Sequence, residues 1–206
     1  MQCENPKILH HLPHIFDRGE SENLTFQIGK NECQKYVFVP EKDGTYFRHF
    51  ILSEWSVFRG GAIVLWANMV LKMYVSIEWS HSEASIVLLW LAKSWSNIEI
   101  DGIGSVKEGS KWVKLRVDQT NILLGKNARV RGRPVLEVAT DSIEWWHSCK
   151  IHEISWEKLF YLESHGIDSK SAERMLLEGE IMNHLTIIST DYESALWSIL
   201  SRLKET

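Results

Sequence analysis

From residue 24 to about residue 154 apolar and polar positions follow one another with a period of two, broken by Gly, Asn and Asp. LTFQIG, KYVFVP, FRHFILSEWSVF, MYVSIEW, ASIVLLWLA, NIEIDGIGSV and KWVKLRV predict strands. PEKDGT and FRGG predict turns. No segment of helical period interrupts the series, which excludes a doubly wound α/β domain. A sandwich, a barrel or a β-solenoid remains. AIVLWA and SIVLLWLA are apolar on both faces. Strands of that kind need cover on both sides, as in a solenoid or a two-layer stack. No exact short repeat accompanies them.

After Ile154 the period changes. SWEKLFYLESHG predicts a helix with Ser155 as N-cap and Gly166 beyond its end. DSKSAERMLLEG predicts a second, capped by Asp168 or Ser169, with Ala172, Met175 and Leu176 as apolar positions and Gly179 as stop. TDYESALWSILSRLKE predicts a third, with Thr190 and Glu193 as a capping box and Tyr192, Ala195, Leu196, Ile199 and Leu203 on one stripe. The expected organisation is an N-terminal segment 1–23, a β-rich body 24–154 and a helical region 155–206.

The chain has 206 residues, 44% of them hydrophobic and 24% charged, which suits a soluble globular protein with a sizeable core. A net charge of -4 gives no electrostatic case for nucleic acid. The most apolar stretch, GAIVLWANMVLKMYVSIEW, carries Lys72 in its middle and is rich in β-branched and aromatic residues. It predicts two strands, not a membrane span. Cys3, Cys33 and Cys149 lie far apart without a CxxC pair, so neither a disulfide framework nor an oxidising compartment is expected. The first residues have no apolar run of the secretory kind.

The residues that follow carry a resemblance. NILLGKNARVRGRPVLEVATDSIEWWHS is followed by LFYLESHGIDSKSAERMLLEGEI. Leu123, Leu124, Asn127, Ala128, Pro134, Leu136, Glu137, Asp141 and His147 stand in order in the first. Leu159, Phe160, Tyr161, Leu162, Ser164, Gly166, Ile167, Ala172, Leu176, Leu177 and Gly179 follow in the second. Both motifs resemble the C-terminal core of the SufB/SufD family of the SUF iron–sulfur cluster assembly system. From 46 to 120 the resemblance is looser and rests on strand pattern and on turns such as GGA at 60–62. The resemblance implies a fold: mainly β, with a right-handed parallel β-helix core (a β-solenoid) and a small C-terminal α-helical domain. It also implies a cytoplasmic, non-enzymatic subunit that pairs end to end with a SufB-like scaffold and docks a SufC-like ATPase, with no role for nucleic acid or membrane. No Walker A sequence is present, so ATP hydrolysis would belong to the partner.

The family pattern assigns His147 to the paired core, where it would contact iron or a nascent cluster. Any cluster or iron would be transient and shared with the partner subunit, none being held stably by this chain alone. Ser148 stands where SufB-type subunits have an acidic residue after the histidine. No cysteine lies near Gln119, where SufB-type subunits have one. Both departures point to a SufD-like member. WHS replaces the usual SHG around the SufD histidine, SHGI stands where Arg-Gly-Ile is common, and the chain is shorter than its relatives, without their N-terminal helical region. The ATPase-docking positions carried over are Trp156, Leu159, Phe160, Tyr161, Leu162, Gly166, Ile167, Met175 and Leu176.

Read from the residues alone, His147 and Cys149 share strand parity, about 7 Å apart on one face. Imidazole and thiolate suit iron, but two ligands are too few for a stable site. The pair otherwise reads as a structural histidine and a buried small hydrophobe. Cys149 with His147 or His152 as base is disfavoured, because side chains on one rigid strand rarely meet. His10, His11 and His14 form an HHxxH group without an acidic third ligand. Trp145 and Trp146 must point to opposite faces. Lys126, Arg129, Arg131 and Arg133 could attract an anion or remain a solvated turn. Two other functions stay open: a degenerate family member acting only as a binding module, and a carbohydrate-active enzyme on a β-solenoid. The enzyme would need two carboxylates facing one groove, drawn from Glu78, Glu99, Asp101 and Glu137.

Overall fold

The computed structural model of the chain describes residues 14–65, 68–188 and 193–204. Eleven strands lead into three helices among these residues. The strands are β1 (His14–Asp17), β2 (Asn23–Ile28), β3 (Cys33–Phe38), β4 (Gly44–Leu52), β5 (Val57–Leu65), β6 (Met69–Ile77), β7 (Glu83–Ala92), β8 (Asn97–Val106), β9 (Val113–Leu123), β10 (Arg129–Val138) and β11 (Ile143–Glu153). The helices are α1 (Trp156–Ser164), α2 (Ser169–Ile188) and α3 (Glu193–Lys204). Odd strands form one sheet in the order β1-β3-β5-β7-β9-β11; even strands form a second, β2-β4-β6-β8-β10. All pairings are parallel, so the chain winds as a β-solenoid, as the family resemblance implies. Cys33 pairs with Val57, Val57 with Glu83 and Glu83 with Lys114. Turn length therefore varies along the stack, and Lys114 pairs in turn with Glu144, so no fixed repeat is visible. The stack starts upstream of residue 24, because β1 pairs with β3.

The two sheets bury their side chains differently. In the even sheet the buried apolar residues face inward, as along β6, where Met69, Leu71, Met73, Val75 and Ile77 face the core. In the odd sheet both faces are covered in the middle strands. Ala62, Val64, Leu88 and Trp90 fill the solenoid, while Ile63, Leu65, Val87, Leu89 and Leu91 face outward beneath Leu177, Ile181, Leu185 and Ile188 of α2 and Ala195, Ile199 and Leu203 of α3. This second layer is why AIVLWA and SIVLLWLA read as apolar runs. Each fully buried aliphatic side chain there contributes roughly 1.5–3 kcal/mol.

Three expectations are corrected. FRGG is not a turn: Phe58, Arg59, Gly60 and Gly61 lie inside β5. A Cβ on Gly60 would meet the Phe58 ring at 2.2 Å, and one on Gly61 would meet the Val87 carbonyl oxygen at 2.0 Å and Ile188 of α2 at 2.7 Å. These glycines serve close packing rather than chain reversal. GGA at 60–62 is likewise strand. Gly179 does not stop its helix. Its flank is open, and the buried stripe continues through Ile181, Leu185 and Ile188. Cys33 is disulfide-bonded, whereas Cys149 is a free thiol. An odd cysteine count without CxxC does not exclude a single bond. Ser155 and Asp168 cap α1 and α2 as expected, by accepting from the Lys158 and Ser171 amides. The Thr190 cap and Tyr192 lie outside the described residues, as do His10 and His11.

His184 lies on the buried face of α2, with Nδ1 near the Glu180 carbonyl oxygen of the same helix at 2.8 Å. Burial, opposed by that carbonyl, Glu180 and Asp118 and aided by Lys150, holds its pKa below the usual 6.5. The unfolded chain therefore binds more protons as pH falls through 6.5, and stability is lost on the acid side. The urea midpoint is expected to be lower at pH about 5.5 than at pH about 7.5. His184→Leu should narrow that gap; a gap of unchanged size would show that other groups produce it.

Candidate functional site at the open end of the solenoid

β10 and β11 are the last strands of their sheets, so each has one edge with no paired strand among the described residues. Register fixes what that end presents. Trp145, His147, Cys149 and Ile151 stand opposite Leu115, Val117, Gln119 and Asn121 of β9. The β9 residues are buried inside the solenoid; their β11 counterparts share the inward parity but are exposed, because no further turn covers them among the described residues. Trp145 and Ile151 are each 54% exposed. Val130, Leu136 and Val138 supply the same row on β10. Pro134, which lacks an N–H, is tolerated there because the strand is an edge. An uncovered core row on two strand edges is a docking surface in the physical sense: open backbone groups and apolar side chains that another stack can complete.

His147 and Cys149 therefore do face one way, at the centre of this end. The Trp145 ring lies nearly parallel to the His147 ring, centroids 5.7 Å apart, which limits how the imidazole can turn. Cys149 Sγ accepts from Asn121 Nδ2 at 3.7 Å. Burial pushes its thiol above the usual value, and the Asn121 contact opposes that shift. Ser148 points the other way, donating to Asp118 at 2.8 Å. Trp146 is exposed on the outer face, so neither tryptophan of the pair is packed in the core. Among the described residues, no group of three or more His, Cys, Asp and Glu side chains is placed to hold a metal ion.

The docking positions proposed for the helices also separate. No residue of α1 is buried. Trp156, Phe160 and Tyr161 are 71%, 65% and 62% exposed, and Met175 on α2 is exposed beside them. Leu159, Leu162, Ile167 and Leu176 are partly buried; Gly166 makes the turn between α1 and α2 at φ +84°. Elsewhere two of the four basic side chains are paired with carboxylates. Arg133 holds Asp101 through two hydrogen bonds at 2.9 and 2.8 Å, and Arg131 lies 3.5 Å from Glu99. Glu137 accepts from the Tyr74 hydroxyl at 3.0 Å. Three of the four carboxylates that an enzyme reading would use, Glu99, Asp101 and Glu137, are thus engaged by the chain's own partners.

A family model described as SUF system FeS cluster assembly, SufBD core domain matches residues 68–180, a little over half of the chain. The chain belongs to the SufBD core family. The matched region runs from β6 into α2 and contains both His147 and Cys149. Among similar proteins, the iron-sulfur cluster assembly protein SufD of Escherichia coli is 34% identical over 62 residues, 30% of this chain and 15% of that protein. SufD of Bacillus subtilis is 26% identical over 109 residues, 52% of this chain and 25% of that protein. A SufBD family protein of Synechocystis is 28% identical over 72 residues, 34% of this chain and 16% of that protein. The matched stretch thus spans a quarter or less of each of these relatives. No helix among the described residues is long and apolar enough to cross a membrane.

Two residues were missed by sequence reasoning. Gln119 and Asn121 interrupt the apolar inward row Val113, Leu115 and Val117 of β9, and both are fully buried. Polar residues at inward parity were the available signal.

Proposed function

We propose that this chain is a SufD-like subunit of an iron–sulfur cluster assembly complex. Its open solenoid end pairs with a SufB-like scaffold, and the exposed face of α1 and α2 docks a SufC-like ATPase. The observation that carries this reading is the uncovered inward row Trp145, His147, Cys149 and Ile151 on an unpaired edge strand. A partner stack laid on that edge would bury the row and bring its own side chains to His147. Iron or a nascent cluster is then cargo at the joint, held by ligands from both chains, with His147 as the contact from this one. The resemblance to proteins named SufD and the presence of Gln119 opposite Cys149 favour the SufD-like over the SufB-like role. The role is non-catalytic, and ATP hydrolysis belongs to the partner. The compartment that goes with it is the cytoplasm.

His147→Ala tests the contact. The side chain is exposed, so the variant should keep its melting temperature and its place in the complex. Cluster yield per complex, read from the visible absorption of the reconstituted cluster, should fall about tenfold. Unchanged yield with intact pairing would remove the case for His147 and leave a binding module that only completes the assembly.

A further inference from the structure

Cys149 is held by more than its strand. Gln119 Nε2 donates to Asn121 Oδ1 at 3.1 Å. Asn121 Nδ2 donates in turn to Cys149 Sγ at 3.7 Å and to the Lys150 carbonyl oxygen at 3.0 Å. The relay sets the direction of each amide. The Asn121 oxygen is taken by Gln119, so its NH₂ group faces the sulfur, and the sulfur is the acceptor. Desolvation outweighs this contact and keeps the free thiol protonated, but an N–H donor aimed at the sulfur serves a metal-bound sulfur, since ionised acceptors form the stronger hydrogen bonds.

Two further observations show that the relay is built rather than incidental. Gln119 is fully buried, yet its Oε1 has no hydrogen-bond partner among the described residues. A buried acceptor left unpaired in this way needs a reason, and a donor-bearing or cationic guest at the open end would supply one. The facing strand also makes room for the amide. A Cβ on Gly132 of β10 would stand 2.0 Å from Gln119 Nε2. Leucine at 119 and 121 would have continued the apolar row without an unpaired oxygen.

We propose that Gln119 and Asn121 are positioning residues that hold the Cys149 sulfur as an acceptor, beside His147, for a thiophilic divalent metal ion of the ferrous kind. The inference rests on the open end being the assembly surface, and it adds the residues that prepare the thiol there. Iron reaching the joint would meet a sulfur already oriented by the chain, before the partner adds its own ligands.

The test uses the full chain and cadmium as a soft stand-in for ferrous iron. Affinity is measured by calorimetry, and ¹¹³Cd NMR reports whether sulfur is bound. The wild type is expected to give a sulfur-bound cadmium signal that Cys149→Ser abolishes. Asn121→Leu and Gln119→Met should weaken cadmium binding about tenfold or more, the effect expected of lost second-layer hydrogen bonds. If Asn121→Leu fails to fold, Gly132→Ala displaces the Gln119 amide without touching Asn121 or Cys149, and the same loss is expected. A purely structural role would move the melting temperature and leave the affinity and signal of the folded variants unchanged; that result overturns the positioning role. No sulfur-bound signal in the wild type overturns Cys149 as a ligand. Pairing with a SufB-like partner is measured separately, so it can stand when this inference falls.

Discussion

Arg48→Met lowers the free energy of unfolding by roughly 3–5 kcal/mol, the cost of leaving a buried carboxylate without its counter-ion. Arg48 is fully buried in the first turns of the solenoid. Its Nε donates to Asp17 Oδ2 at 2.7 Å and to the Tyr36 hydroxyl at 2.8 Å. The remaining guanidinium donors take the carbonyl oxygens of Glu22 at 2.9 Å, Phe47 at 3.0 Å and Ser21 at 2.9 Å. Tyr36 also donates to Asp17, and burial keeps its phenol protonated well above the ordinary range. The guanidinium lies over the Phe38 ring, 4.6 Å from its centroid. One cation thus satisfies a carboxylate and three backbone carbonyls where β1, β2 and β3 begin the stack. Urea denaturation of the variant reads the loss. A change below about 1 kcal/mol would mean that the pair behaves like an exposed ion pair. The two ends differ in chemistry: the first turns hold a buried ion-pair network, whereas the last turn leaves the inward row of β11 exposed.

Trp156→Glu combined with Phe160→Glu should weaken binding to a SufC-like ATPase more than 100-fold, the scale at which two aromatic anchors are lost from an interface. Both side chains are mostly exposed on a helix with no buried residue, so the fold should be untouched. Circular dichroism would confirm that, and biolayer interferometry against the ATPase would read the affinity. Affinity within threefold of the wild type would place docking elsewhere. Deleting residues 155–206 is not an equivalent test. It would strip α2 and α3 from Ile63, Leu65, Val87, Leu89 and Leu91, leaving a broad apolar face in water, and the product would fail for that reason alone.

Much of this architecture could be read from the chain. Period-two strands without intervening helices left few folds, and two-faced strands such as SIVLLWLA correctly required cover on both sides, which α2 and α3 provide on the outside. The parity of His147 and Cys149 was readable because alternation in a strand is strict. What could not be read depends on neighbours distant in sequence. Gly60 and Gly61 look like a turn until the Phe58 ring and Ile188 are seen to need their space. Gly179 looks like a stop until the stripe beyond it is seen to pack on the sheet. Arg133 looks free until Asp101, one turn earlier, is found beneath it. Exposure of Trp145 follows from its strand being last in the stack, a fact of order rather than composition.

Co-expression of this chain with the SufB-like and SufC-like proteins of its own source, followed by light scattering of the purified material, tests membership of an assembly complex most directly. A three-component complex whose SufB-like partner is lost on Trp145→Glu with Ile151→Glu, both at the open end, is the expected result. A lone monomer, with affinity for neither protein, would contradict it and leave the SufBD fold here as ancestry without the assembly role.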